Sequence, residues 1–184
     1  VRQAHEQNTD IVLVDTGNSY EGLCEYFNGK YISYTEEHPI TMNPFQIKRE
    51  EWNIEKLGFL KNLVMLIWKG SQGTVTKTED KLIEQVINEY YEAHFGKGRI
   101  GRLCFNSFYE FSTRRIPEIC DENGLRGIDL ASYNYLLKEF YKGGSHELTL
   151  NENMDSSLFD ETFIVFEIDS IKDDPLLFPL VTLI

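Results

Sequence analysis

The stretch Ile11-Val12-Leu13-Val14-Asp15-Thr16-Gly17-Asn18-Ser19 decides how the rest of the chain is read. Four aliphatic residues in a row, three of them β-branched, run into an acid and then into turn-forming residues. An apolar run without polar alternation is expected of a strand buried on both faces, as in a parallel sheet. Asp15 to Ser19 then supplies a turn and candidates for a helix N-cap. A helix is expected over Tyr20 to Phe27, with Asn28-Gly29 as its stop. Tyr31 to Tyr34 reads as a second short strand. Far along the chain, Phe163 to Asp169 repeats the buried-strand pattern. Strand, helix, strand and a later strand of the same kind predict an α/β fold with a parallel sheet.

Between these strands the periodicity is helical. Pro39 to Phe45 reads as a loop. Ile54 to Trp68 is apolar nearly all round, which suits a helix buried in a core or an interface. Thr76 and Glu79 have capping-box spacing, and Leu82, Ile83, Val86, Ile87, Tyr90, Tyr91 and Phe95 follow as one stripe. Gly96-Lys97-Gly98 is its expected end. Phe105 to Ile119 and Leu130 to Tyr141 are further expected helices, closed by Asn123-Gly124 and Gly143-Gly144. Asp173-Asp174-Pro175 is expected to open a last helix, with acids at the positive end of its dipole. The chain thus divides into residues 1–45 (partial core), 46–158 (helical insertion) and 159–184 (return to the core). Val1 to Gln7 reads as the last turns of a helix whose start is missing. Leu176 to Ile184 reads as an apolar helix without a stop signal. Both ends suggest an internal piece of a larger protein.

Composition narrows the function. Of 184 residues, 41% are hydrophobic and 13% aromatic, as in a folded domain. The 18 basic and 30 acidic residues leave a charge of -12, which opposes broad nucleic-acid or anionic-membrane binding. Cys24, Cys104 and Cys120 have no CxxC spacing, so free thiols in a reducing, cytoplasmic compartment are expected. His5, His38, His94 and His146 are isolated and show no metal-ligand spacing.

Three candidate chemistries can be weighed. A phosphate-binding G-x-x-x-x-G-K-[ST] loop is absent from the sequence. Two strands end in acids, at Asp15 and at Glu167 with Asp169. A magnesium-holding acid occupies that kind of place, but so do acids at the polar ends of ordinary buried strands. Lys97, Arg99, Arg102, Arg114 and Arg115, interleaved with Phe105, Phe108, Tyr109 and Phe111, could meet single-stranded DNA through phosphates and stacking. The plainer reading is a solvated helix edge over an aromatic core. Asp15-Thr16-Gly17 also resembles the aspartic-protease turn. That chemistry needs two carboxylates sharing a proton, and the chain holds one copy.

Several stretches in order carry a more specific resemblance. They are IVLVDTGNSYEGLC (11–24), Gly29-Lys30-Tyr31-Ile32, Met42-Asn43-Pro44-Phe45, FNSFYEF (105–111), Tyr141-Lys142-Gly143-Gly144 and FIVFEIDSIKDDPLLFPLVTLI (163–184). The set resembles the TraG-type ATPases of conjugative transposons, relatives of the large ATPases that power type IV secretion. The resemblance implies a partial RecA-like P-loop NTPase core with a large, mostly helical insertion. It implies that the Walker A loop lies before Val1 and the Walker B strand after Ile184. ATP and magnesium would then belong to the full-length parent, with no catalytic, cofactor or metal residue in this chain. The family-motif positions are Asp15, Gly17, Asn43, Pro44, Phe45, Glu167 and Asp169, of which Asp15 matches the family's acid after the second strand. The implied partners are other subunits of the same ATPase, as a hexamer, and secretion-channel components at the inner membrane. A second expectation, of another class, is an interaction module built on the helical block.

Overall fold

The computed structural model describes residues 9–35, 37–96 and 100–184. Three short strands form its sheet: β1 (Ile11–Asp15), β2 (Lys30–Ser33) and β3 (Phe163–Glu167). The order is β1-β3-β2, and both pairings are parallel. Ile11 stands beside Phe163 and Asp15 beside Glu167, while Lys30 stands beside Ile164 and Ser33 beside Glu167. The last strand in sequence is therefore the central one.

The pleat sends alternate β3 residues to opposite layers. Phe163 and Val165 pack with Ile11, Leu13 and Tyr31 beneath α1 (Glu21–Tyr26), whose Cys24 and Leu23 close that layer. Phe166, with Ile32, faces the opposite way into the helical block. β3 is buried almost throughout, as its sequence predicts. β1 departs from expectation, because Val12 and Val14 are 61% and 54% exposed. Among the described residues the helical block covers β2 and β3 but does not reach over Val12 and Val14 of β1.

The block consists of α2 (Ile54–Lys69), α3 (Lys77–Phe95), α4 (Phe105–Asn123) and α5 (Leu130–Leu137). α2 touches α3, α5 and the last helix α6 (Leu177–Leu183), which joins it to the sheet side. The expected capping box is present: Thr76 Oγ1 accepts the Glu79 amide, and Glu79 Oε2 accepts the Thr76 amide. Asn53 caps α2 by accepting the amides of Glu55 and Lys56. The all-round apolar reading of α2 is largely met, with Leu60, Leu63, Val64, Met65, Ile67 and Trp68 buried, although Ile54 at its start is exposed.

Some boundaries differ from the sequence reading. α4 continues past Ile119 to Asn123 and ends at Gly124, which adopts the left-handed conformation that glycine accepts. The stretch expected as one helix to Tyr141 tightens after Leu137 into a 3-10 turn, Lys138–Phe140. The last helix starts at Leu177, not at Asp173. Pro175 disfavours helical geometry at the residue before it, so Asp174 instead caps from outside, accepting the amides of Leu176 and Leu177. The expected helix over Val1 to Gln7 and the stop at Lys97-Gly98 lie outside the described residues. Cys24, Cys104 and Cys120 are buried free thiols. No helix among the described residues is long and apolar enough to cross a membrane.

One glycine sets the spacing of the α1 layer. A Cβ on Gly29 would lie 2.5 Å from the Phe163 carbonyl oxygen, inside contact distance of a buried strand. Gly29→Ala should therefore lower the unfolding free energy by about 2 kcal/mol in urea denaturation. Gly22→Ala, where nothing lies within 4 Å of the new methyl, should be neutral or stabilising by up to about 1 kcal/mol.

Candidate functional site

The carboxyl ends of β1 and β3 bring two acids side by side, which sequence separation alone would not suggest. Asp15 folds back over the turn that follows it. Its Oδ2 accepts the amides of Ser19 at 2.6 Å and Tyr20 at 3.1 Å, and its Oδ1 accepts the Gly17 amide at 3.2 Å. Glu167 holds the same turn from the neighbouring strand. Its Oε2 accepts the Asn18 amide at 3.0 Å and the Tyr31 hydroxyl at 3.2 Å, and its Oε1 accepts the Asp169 amide at 2.7 Å. Asn18 sits at φ 51, a left-handed conformation that asparagine tolerates better than most residues. The turn is thus pinned by carboxylates from two strands.

Burial raises the cost of charge on Asp15, but the amides of Ser19, Tyr20 and Gly17 and the Glu167 side chain outweigh it and hold its carboxyl below the usual range. Tyr31 is pushed the other way, up to about 12, by burial first and then by the Glu167 charge. Asp169 sits one turn on and receives the Lys172 ammonium at 2.9 Å. Gly17 contributes its amide and has no contact that would forbid a side chain.

Asn43, Pro44 and Phe45 lie elsewhere, at the seam between sheet and helices. Asn43 Oδ1 accepts the Phe45 amide at 3.1 Å, and its Nδ2 donates to the Leu103 carbonyl at 2.8 Å. Phe45 is fully buried, stacked on Phe108 at 5.1 Å and edge-on to Tyr90. Its carbonyl accepts the Tyr91 hydroxyl at 2.8 Å. This motif is a clamp that ties the loop after β2 to α3 and to the start of α4.

The basic cluster does not form a stacking surface among the described residues. Phe105 and Phe108 are buried in the aromatic core. Arg115 is held by Glu89, Glu118 and Glu122. Arg102 donates to the Asn151 carbonyl and pairs with Glu152. Arg102 and Arg114 are the exposed members among those described, and Arg114 lies near Glu110. Lys97 and Arg99 lie outside the described residues. No group of three or more His, Cys, Asp or Glu could hold a metal among the described residues.

A family model for the TraG P-loop domain matches residues 1–184, the whole chain. The chain belongs to the TraG P-loop family. Among solved structures, this TraG P-loop chain is similar to VirB4 of Thermoanaerobacter pseudethanolicus, with a TM-score of 0.63 and 19% identity. The match covers 94% of this chain and 46% of that one, so the chain spans just under half of the VirB4 chain. At that identity the likeness shows the fold alone. No curated protein matches the chain. The α/β class with a small parallel sheet and a large helical block is thereby established for the TraG P-loop chain. The protease reading of Asp15-Thr16-Gly17 falls away, because the loop joins a parallel strand to a helix and its carboxylate is committed to backbone amides.

The sequence reading named Asp15, Gly17, Glu167 and Asp169, and the TraG P-loop chain brings these four together at one sheet edge. It places Asn43, Pro44 and Phe45 apart from them. Tyr31 and Asn18 complete the edge cluster, and neither was singled out. Asn18 belongs to the turn the sequence predicts, and Tyr31 to a predicted strand in which nothing local marks it for the site. Because the Asp15 carboxyl is depressed, its contribution is present above its usual value of 3.8 and disappears as pH falls through the lower folded value. Asp15→Ala should cost about 2 kcal/mol at pH 7. That deficit should shrink once the pH drops below 3.8. Urea denaturation of both proteins at pH 7 and in strong acid checks this, and a deficit that persists unchanged in acid refutes it.

Proposed function

We propose that this chain is the middle of the ATPase domain of a conjugation motor and is catalytically inert by itself. The family match across residues 1–184 carries the reading. The parallel sheet and the turn pinned by Asp15 and Glu167 suit a nucleotide-binding core, where ligands sit beyond the carboxyl ends of strands. The residues present do not fit ATP and magnesium on their own. The sequence has no G-x-x-x-x-G-K-[ST] loop, and the oxygens of Asp15 and Glu167 already accept backbone amides. In this reading both ligands are held by other parts of the parent. This chain supplies core strands and keeps the edge turn in shape.

The parent works, in this proposal, as a cytoplasmic hexamer at the inner membrane, docked on secretion-channel components. A second reading, of the chain as an interaction module, is favoured by one feature. Val12 and Val14 stand exposed on an edge strand whose outer backbone groups pair with no strand among the described residues. Such an edge invites another strand or surface. The two readings are compatible.

The isolated chain should hydrolyse ATP no faster than a blank and show no saturable ATP affinity, by coupled phosphate release and calorimetry. Clear turnover would sink the claim of inertness. Light scattering tests the edge: association should grow with concentration and fall in a Val12→Lys, Val14→Lys variant. A strictly monomeric chain at high concentration rules out self-association through this edge.

A further inference from the structure

Glu167 is 4% exposed, and no ion pair among the described residues includes it. Its two oxygens serve different parts of the chain. Oε2 accepts the Asn18 amide, from the turn after β1, and the Tyr31 hydroxyl, from β2. Oε1 accepts the Asp169 amide, at the start of the segment that leads to α6. Asp15 takes the amides of Gly17, Ser19 and Tyr20 and leaves that of Asn18 to Glu167. One carboxylate therefore joins the turn to a segment more than a hundred residues away in sequence.

From Asp169 to α6 the chain is held step by step. Asp169–Ile171 is a 3-10 turn in which the Ile171 amide donates to the Ile168 carbonyl. The Asp174 amide then donates to the Ile171 carbonyl. Asp174 Oδ1 accepts the amides of Leu176 and Leu177. Ile171, Leu177 and Leu180 are buried in the core that they share with α2. The path from residue 168 to residue 177 holds no glycine, and Pro175 stiffens it further.

A buried carboxylate is costly unless donors meet its oxygens. Losing the donors at one oxygen admits water to the site and weakens the bonds at the other, so the two ends hold cooperatively. We propose that Glu167 makes the turn at residues 16–20 and the segment at residues 168–177 open and close as one unit. The turn lies beyond the carboxyl end of β1, and α6 lies against α2 of the helical block. Ordering either one then favours the other, so the sheet edge and the seat of the block share one equilibrium. This coupling belongs to the chain itself and does not depend on the ATPase reading.

Amide hydrogen exchange of the ¹⁵N-labelled chain, read residue by residue, is the test. Asp174→Ala removes the acceptor at the start of α6 and no bond of the turn. It should speed exchange of the Asn18, Ser19 and Tyr20 amides by about fivefold. Thr76→Ala, which removes the cap of α3, should leave these three amides within about twofold of their original rates. In the reverse direction, Asn18→Ala strains the turn at φ 51 and should speed exchange at Leu176 and Leu177. In a Glu167→Gln background the side chain has one acceptor oxygen for two segments, and Asp174→Ala should add nothing at the turn. Turn amides unchanged by Asp174→Ala overturn the proposal, even where Glu167→Gln fails to fold. An equal effect of Thr76→Ala also overturns it, since the whole chain would then be loosening. So does an effect of Asp174→Ala that is the same with and without the Glu167 carboxylate.

Discussion

The pairing of β3 on both of its edges is the constraint on which the fold depends. A strand buried on both faces has no water for its amides and carbonyls, so both edges must find partners. β1 and β2 provide them in parallel register. β2 precedes β3 by the whole helical block, so the chain must leave the sheet, build that block and return between two strands already laid down. The block is then pressed against the face carrying Ile32 and Phe166, while α1 covers Phe163 and Val165. A three-layer arrangement results from one sandwiched strand.

The same return creates the chemistry at the sheet edge. Glu167 reaches the Asn18 amide because β3 lies beside β1, and it meets the Tyr31 hydroxyl because β2 flanks it on the other side. The acids at this edge act first on the backbone, shaping a turn in which Asn18 has an uncommon conformation.

Much of this was legible along the chain. The aliphatic runs located β1 and β3, the capping box at Thr76 and Glu79 located the start of α3, and Gly124 marked the end of α4. These signals are local, since each depends on residues within a turn or two. The start of the last helix is also a local matter: acids favour a helix start, but Pro175 restrains Asp174, which caps from outside the helix instead. The exposed valines of β1 depart from expectation for another reason. An aliphatic run tells that a strand can be buried, not which neighbour covers it. The basic cluster follows its plainer reading, an edge over an aromatic core: spacing groups Arg102, Arg114 and Arg115, and glutamates from α3 and α4 and the Asn151 loop hold two of them.

By itself the sequence determined the element types, the α/β class, the free thiols and the acids at the strand ends, because periodicity, capping and turn chemistry act over short separations. Only the tertiary structure decided that the last strand is the central one, that Asp15 and Glu167 share a turn, and that Tyr31 joins them. Those facts depend on which distant segments share the same space, and that is settled by the packing of whole layers, which no short stretch of residues encodes.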